Sequence, residues 1–188
     1  MEKNRPTQRL DHYDPPTNFR GRSGLVVFIW WFVQGTLFAL SPQFMYGWRA
    51  WLLRVFGAEI GKDVRIRSSA KITYPWKLRI GDHSWIGDDS VIYCVTNITI
   101  GKHTVISQKC YLAPGGHEID RIAFDVYLEP IVIGDGVWVG TDVFVGSGVH
   151  IGDGCVIGAR SSVFEHMPAW KICYGYPAKA MKDRLELK

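Results

Sequence analysis

An aliphatic residue returns at every sixth position through the second half of the chain, and in most repeats a glycine follows it. The clearest run is Ile133-Gly134, Val139-Gly140, Val145-Gly146, Ile151-Gly152 and Ile157-Gly158, ending at Val163. Neither the 3.6-residue helix period nor the two-residue strand period places a small residue at every sixth position. A hexad repeat predicts a parallel β-helix, in which three short strands make one coil of about 18 residues.

The hexads also predict which side chains fill the interior. Positions four residues after each aliphatic residue are expected to point inward too, and they carry small side chains: Val137, Val143, Val149, Cys155 and Ser161. Glycine directly after the aliphatic residue suits either a corner with positive φ or the close approach of two backbones.

The inward aliphatic residues form five triplets, which predicts about five coils. Their positions are 60, 66, 72; 80, 86, 92; 100, 106, 112; 133, 139, 145; and 151, 157, 163. Within a triplet the step is always six residues, whereas the steps from one triplet to the next are 8, 8, 21 and 6 residues. The three steps longer than six are insertions, and because each lies between two triplets, all three fall at the same corner of the triangle. With coils about 4.8 Å apart, these insertions should line one continuous side. They carry Tyr74 and Trp76, then Asn97, then His117.

The rest of the chain divides into an N-terminal segment, 1–59, and a C-terminal tail, 167–188, around the β-helix of 60–166 with its loop at 113–132. The expected fold is therefore all-β, with an N-terminal helical cap on the first coil. A stacked-repeat protein needs its open ends covered.

Within the N-terminal segment, residues 25–40 are strongly apolar but too few for the roughly 20 that a membrane-spanning helix needs. Together with a second amphipathic piece they are expected to cap the coil or contact another subunit. Tryptophan and arginine on an apolar helix are also typical of membrane-surface helices, so contact of 25–56 with a membrane stays open as an alternative.

Composition excludes several classes. The net charge of +4 comes without a dense Lys/Arg run, so nucleic acid is not an expected partner. The four cysteines have no CxxC spacing and read as reduced core thiols of a cytoplasmic protein. No cleavable signal peptide is evident. The histidines lack the clustered spacing of a zinc site, so no metal is expected.

Several motifs give the chain a family resemblance. They are Gly175–Lys179 (Gly-Tyr-Pro-Ala-Lys), Arg20–Ser23, Leu52–Ala58, Tyr74–Leu78, Trp85–Gly87, Ile106–Gln108, Gly116–His117 and Pro130–Trp138. On these the sequence resembles the hexapeptide-repeat acyltransferases, within them the colanic-acid-type O-acetyltransferases, and more distantly the maltose and galactoside acetyltransferases. The resemblance implies a left-handed parallel β-helix, a homotrimer with active sites between subunits, and acetyl-CoA as co-substrate.

The resemblance also implies direct attack of a hydroxyl on the thioester, with no covalent intermediate and with a histidine as general base. His117 fits that role, because imidazole titrates near neutral pH and this histidine follows Pro114-Gly115-Gly116 on the one large insertion. Glu118, Asp120 or a backbone carbonyl is expected to orient its ring.

The remaining site residues come from the same resemblance. Thr141 matches a position that stabilises the oxyanion, and the acetyl-CoA set consists of Trp138, Gly140, Thr141, Ala159, Arg160, Lys179 and Lys182. Relatives usually have Thr-Lys where this chain has Phe164-Glu165, so basic residues elsewhere are expected to hold the CoA phosphates. The expected acceptor contacts, Asn97, Tyr74 and Trp76, come instead from their place on the insertion side. Aromatic rings there, including Tyr93 and Tyr111, suit stacking against a sugar, with ordinary packing of the corner as the alternative.

The sequence thus predicts an acetyl-CoA-dependent O-acetyltransferase acting on a saccharide or lipid-linked saccharide of a surface polysaccharide. It is expected in the cytoplasm, with the inner face of the plasma membrane as an alternative site. The competing readings are N-acetylation of an amino sugar and a non-catalytic β-helix scaffold.

Overall fold

Three parallel sheets form the faces of a β-helix in the computed structural model, which describes residues 6–185; residues 1–5 and 186–188 of the two terminal segments lie outside it. The first face consists of Glu59–Ile60, Leu78–Ile80, Ile98–Ile100, Ile131–Ile133 and His150–Ile151. The second consists of Arg65–Ile66, Trp85–Ile86, Val105–Ile106, Trp138–Val139, Val156–Ile157, Lys171–Gly175 and Ala178–Asp183. The third consists of Lys71–Ile72, Val91–Ile92, Tyr111–Leu112, Phe144–Val145 and Ser162–Val163.

The predicted triplets are the core of these coils. Each of the fifteen aliphatic residues is at most 8% exposed, and the small residues four positions later are equally buried. Partners in neighbouring coils stand in register, as in the pairs Ile60–Ile80, Ile80–Ile100 and Ile100–Ile133. The prediction of about five stacked coils is confirmed, and the tail begins a sixth.

The glycines after the aliphatic residues are required for close approach of two backbones. A Cβ on Gly87 would lie 2.4 Å from the backbone nitrogen of Gln108 in the next coil, and one on Gly81 would lie 2.6 Å from that of Lys102. Positive φ occurs two residues further on, for example at His83 (59°) and His103 (52°). Of the two reasons considered for these glycines, coil-to-coil spacing is therefore the correct one.

Two helices, Gly24–Val33 (α1) and Tyr46–Val55 (α2), cover the first coil, with a single π-helical turn at Gln34–Phe38 continuing α1. Side chains of this helical cap form hydrogen bonds with backbone groups of the first coil, which has no preceding coil to pair with. The Trp30 indole donates to the carbonyl of Ile72 (2.8 Å), and the Gln34 side-chain oxygen accepts from the amide of Ile72 (2.6 Å). Within residues 6–185, every helix is too short or too polar to cross a bilayer.

The other end of the β-helix is closed by a hairpin. Lys171–Gly175 pairs in parallel with Val156–Ile157 and so extends the second face, and Ala178–Asp183 folds back on it antiparallel. Met167 bridges to Ile151 on the first face.

All three insertions lie between the third face and the next coil's first face, as predicted. We call this the insertion corner: residues 73–77, 93–97 and 113–130. The first forms a 3-10 turn at Pro75–Lys77. The third, expected to be a loop, contains an antiparallel hairpin that pairs Gly115–His117 with Val126–Leu128.

Candidate functional site

His117 ends the first strand of this hairpin, and its ring is held in one orientation. Its Nδ1 lies 2.7 Å from the carbonyl oxygen of Phe124, and the two rings stack at 4.1 Å with an interplanar angle of 7°. Because a carbonyl oxygen only accepts, Nδ1 carries the proton, so in the neutral ring the lone pair is on Nε2. An imidazole in this tautomer can take a proton through Nε2.

The orienting contact therefore comes from a backbone carbonyl and not from either predicted carboxylate. Glu118 lies 2.6 Å from the Arg121 guanidinium, and Asp120 is exposed. Among the described residues, the carbonyl of Phe124 is the hydrogen-bond partner of the His117 ring. Phe124 itself has a φ of 53°, a left-handed conformation that turns its carbonyl toward the ring.

A cavity of about 530 Å³ opens beside His117, within the usual size of a small-molecule site. Its lining comes from three parts of the chain and includes five Tyr or Phe rings. The third face contributes Tyr111 and Phe144, the insertion corner contributes Tyr93 and the residues around His117, and the N-terminal arm (residues 6–22) contributes Tyr13 and Phe19. Flat apolar walls of this kind suit stacking against a sugar ring.

Three hydrogen bonds fix the arm in this position. The amide of Arg9 donates to the carbonyl of Ile122 in the His117 loop (2.7 Å). Lys77 Nζ donates to the carbonyls of Phe19 (2.7 Å) and Val95, and burial lowers the pKa of Lys77. The Trp76 indole donates to the carbonyl of Arg20 (2.7 Å). The site residues predicted from sequence did not include any residue of this arm.

The predicted acceptor contacts are distributed over different cavities. Tyr74 is only 5% exposed, its pKa is raised by burial, and its ring lies edge-on to Phe19 at 6.4 Å. It lines a cavity of about 450 Å³ that shares Tyr13 and Phe19 with the His117 cavity. Trp76 and Asn97 instead line a small cavity of about 150 Å³ near the first face.

The predicted acetyl-CoA contacts lie at another corner of the triangle. The second corner, between the second and third faces, carries Gly140, Thr141, Ala159 and Arg160, and Trp138 stands outward on the adjoining strand. His117 belongs to the insertion corner. A single chain therefore keeps the two groups on separate corners.

The basic residues expected at the CoA phosphates either lie close to a carboxylate or are exposed to solvent. Lys179 lies 2.8 Å from the carboxylate of Glu165, while the 85%-exposed side chain of Arg160 lies 3.5 Å from Asp142. Lys182 is exposed on the outer strand of the C-terminal hairpin. The acidic Glu165 thus neutralises the charge of Lys179.

The cysteines do not supply a nucleophile. All four are buried, and burial raises the pKa of Cys94 and of Cys110 to about 11 and that of Cys155 to about 12. A thiol with such a pKa stays protonated at neutral pH and does not attack a thioester. Among residues 6–185 there is also no group of three or more metal-ligating side chains placed to hold an ion.

Comparisons with known proteins match this architecture. The family model described as bacterial transferase hexapeptide (six repeats) matches residues 130–164. The putative colanic acid biosynthesis acetyltransferase of Escherichia coli is 54% identical over 179 residues, covering 95% of this chain and 98% of that protein.

Two solved structures share the fold. A hexapeptide-repeat acetyltransferase from Vibrio cholerae, complexed with acetyl coenzyme A, is 26% identical with a TM-score of 0.78, covering 88% of this chain and 92% of that one. A maltose O-acetyltransferase from Clostridium difficile is 25% identical with a TM-score of 0.79, covering 90% and 96%.

Proposed function

Because the chain belongs to the hexapeptide-repeat acetyltransferases, we propose that it transfers the acetyl group of acetyl-CoA to a hydroxyl of a saccharide. The observation that carries the proposal is the state of His117. Its Nδ1 proton is committed to the Phe124 carbonyl, and its Nε2 is free to act as a base beside an aromatic-walled cavity. A hydroxyl bound in that cavity would face the group that can deprotonate it.

The reaction then proceeds in two balanced steps. Nε2 of His117 takes the acceptor's hydroxyl proton as the oxygen attacks the thioester carbonyl, which forms a tetrahedral oxyanion. Collapse of this intermediate breaks the carbon–sulfur bond, and the imidazolium returns its proton to the departing CoA thiolate. Thr141 is the proposed hydrogen-bond donor to the oxyanion, a contribution of about 3 kcal/mol in comparable sites.

We assign the complete site to a homotrimer. His117 and Thr141 stand on different corners of one triangular coil. In the proposed threefold assembly, with its axis along the coils, the insertion corner of one subunit meets the second corner of its neighbour through a heterologous interface. Acetyl-CoA would bind in that groove through Trp138, Gly140 and Ala159, with its phosphates near Arg160 or Lys182.

The saccharide acceptor is supported by the aromatic walls of the His117 cavity and by the name of the Escherichia coli relative, which assigns that protein to colanic acid biosynthesis. A saccharide linked to lipid would place the enzyme in the cytoplasm at the inner face of the plasma membrane, with 25–56 as the contacting segment. N-acetylation of an amino sugar would use the same base, so an acceptor panel with matched hydroxyl and amino sugars separates the two reactions.

His117→Asn tests the proposal, because the asparagine amide can still donate to the Phe124 carbonyl but cannot act as a base. Release of CoA with an acceptor sugar should fall about a thousandfold, with unchanged thermal unfolding and CoA binding. His103→Asn, an exposed histidine away from the insertion corner, is the matched control. Unchanged turnover in His117→Asn would remove this residue from the reaction and favour the scaffold reading.

A further inference from the structure

The helical end of the β-helix carries an apolar surface that no other segment within residues 6–185 covers. From Ser23 to Trp48 there is no Asp, Glu, Lys, Arg or His. Buried Val27 and Trp30 mark the inner side of α1. Its outer side and the segment after it expose large apolar side chains: Leu25 (69%), Phe28 (65%), Ile29 (42%), Trp31 (50%), Phe32 (63%), Leu37 (51%), Leu40 (80%) and Phe44 (80%).

The spacing of these residues makes a continuous stripe. Leu25, Phe28, Ile29 and Phe32 stand at i, i+3, i+4 and i+7, which is one face of a helix. Contiguous apolar surface of this extent marks an interaction site in a folded protein. α1 and the π-helical turn that continues it, residues 24–38, together span about 22 Å. This is less than the roughly 30 Å of a bilayer core, so the segment can lie in a membrane surface but not cross it.

Charge is polarised along the same axis. Residues 20–80 run from the end of the N-terminal arm through the cap and first coil to the first strand of the second coil, and they contain ten Lys/Arg and two Asp/Glu, a net charge of +8. Residues 81–188 contain nine Lys/Arg and thirteen Asp/Glu, a net charge of −4. Because the coils stack in chain order, this difference in sequence is a difference between the two ends of the molecule. The second coil adds Asp82, Asp88 and Asp89, so the net charge of 20–100 is still +5.

Part of this positive charge is available at the surface of the first coil. Lys62, Arg65 and Lys71 are exposed, whereas Arg49 is buried in the cap and Arg67 pairs with Asp88 at 2.7 Å. Basic residues near an anionic bilayer each contribute about 1 kcal/mol to binding.

We propose that this end docks on an anionic lipid bilayer, with the outer side of α1 in the interface and the first-coil cations at the headgroups. This inference rests on the membrane location proposed above and adds which end of the molecule contacts the lipid. It does not depend on the proposed catalytic role of His117. A second copy of the chain is the competing occupant of the apolar surface. Pairing two identical ends would bring two regions of +8 together, which like-charge repulsion disfavours. An anionic membrane is complementary in both apolarity and charge.

Docking this way sets the height of the catalytic site. The His117 loop runs from the third coil to the fourth, so it lies two to three coil spacings of about 4.8 Å above the first coil. With the first-coil cations at the headgroups, the His117 cavity would stand about 10–15 Å from them. In a homotrimer with its axis along the coils, three apolar ends would meet the membrane together, which raises the affinity by multivalency.

Co-sedimentation with vesicles tests the inference. The full-length protein should bind vesicles of phosphatidylglycerol and phosphatidylcholine, bind pure phosphatidylcholine at least about tenfold more weakly, and lose affinity as salt rises. Phe28→Gln/Phe32→Gln, which changes two exposed residues, should bind about tenfold or more weakly. Ile119→Gln/Tyr176→Gln, which changes two exposed apolar residues far from the cap, should bind as the wild type does.

A second pair of variants isolates the charge. Lys62→Gln/Lys71→Gln should lower binding to the anionic vesicles about thirtyfold, whereas the same loss of charge in Lys102→Gln/Lys109→Gln on the third coil should have a much smaller effect. Equal binding to both vesicle types, or wild-type binding by the phenylalanine variant, would overturn the proposal. A larger assembly that is lost only in that variant would assign the surface to a second copy. Turnover of a soluble acceptor by each variant reports on the proposed function independently.

Discussion

Lys77→Met is expected to release the N-terminal arm from the insertion corner. Lys77 Nζ donates to the carbonyls of Phe19 and Val95, so the substitution keeps the aliphatic stem and removes both donors. Phe19 is one wall of the His117 cavity. Loss of this clamp should therefore affect acceptor binding more than the chemistry at His117.

The size of the effect follows from the bond to Phe19, because the bond to Val95 does not involve the arm and persists when the arm opens. A hydrogen bond to a charged group contributes about 1.5–3 kcal/mol. Lys77 is half-buried, so water can replace part of the interaction in the variant. We take about 2 kcal/mol for this bond, which corresponds to an arm-opening equilibrium about thirtyfold larger.

Limited proteolysis with trypsin measures that opening, since the arm contains the cleavage sites after Arg20 and Arg22. Where opening is fast relative to cleavage, the cutting rate follows the open population. Cleavage at these two sites, identified by mass spectrometry, should rise about thirtyfold. KM for the acceptor should rise, while kcat and the KM for acetyl-CoA should change little.

Lys71→Met is the matched control. Lys71 is exposed on the third face, and its substitution, like that of Lys77, removes one tryptic site. Cleavage of the arm at the wild-type rate in Lys77→Met would refute the clamp. Equal rises in the KM values of both substrates would show that the arm does not act on the acceptor pocket specifically.

Other substitutions test separate parts of the account. Gly87→Ala should lower the free energy of unfolding by about 1–3 kcal/mol and Tm by several degrees, because the new Cβ would lie 2.4 Å from the backbone of the next coil. Gly47→Ala in α2 is the control: there is open space around Gly47, so this substitution should be neutral or stabilising. Arg49→Met should lower the free energy of unfolding by about 3 kcal/mol or more, since the buried guanidinium bonds three backbone carbonyls of the cap and first coil; denaturant unfolding measures it. Glu165→Gln should lower the KM for acetyl-CoA severalfold by freeing Lys179, and an unchanged KM would place the phosphates elsewhere.

The core was predictable from sequence because each coil repeats a local pattern. An aliphatic residue at every sixth position can only be buried if the chain turns three times per coil, and this fixes register, core and the insertion corner together. The polar Gln34 is different. It reads as a break in an apolar run, yet its side chain accepts a hydrogen bond from the Ile72 amide, a contact across 38 residues that no periodicity reveals.

The surroundings of His117 were predicted less completely for the same reason. Its loop position and the Gly116-His117 motif predict His117 as the base, but the orienting carbonyl of Phe124 depends on a hairpin and a left-handed backbone conformation inside the insertion. Tyr13 enters the site through a contact between Arg9 and Ile122, more than a hundred residues apart. Such pairings are set by tertiary packing and leave no pattern in the neighbouring sequence.

The central claim is that each active site combines His117 of one subunit with the second corner of the next, and mixed trimers test it. The His117→Asn variant lacks the base, and the Ala159→Trp variant places a bulky side chain at an exposed position of the second corner. Each variant should be inactive alone. Co-expressed in equal amounts and mixed at random, they leave about one site in four with both parts intact. Activity near a quarter of the wild-type value is the predicted result. No activity above that of the separate variants would contradict a site shared between subunits.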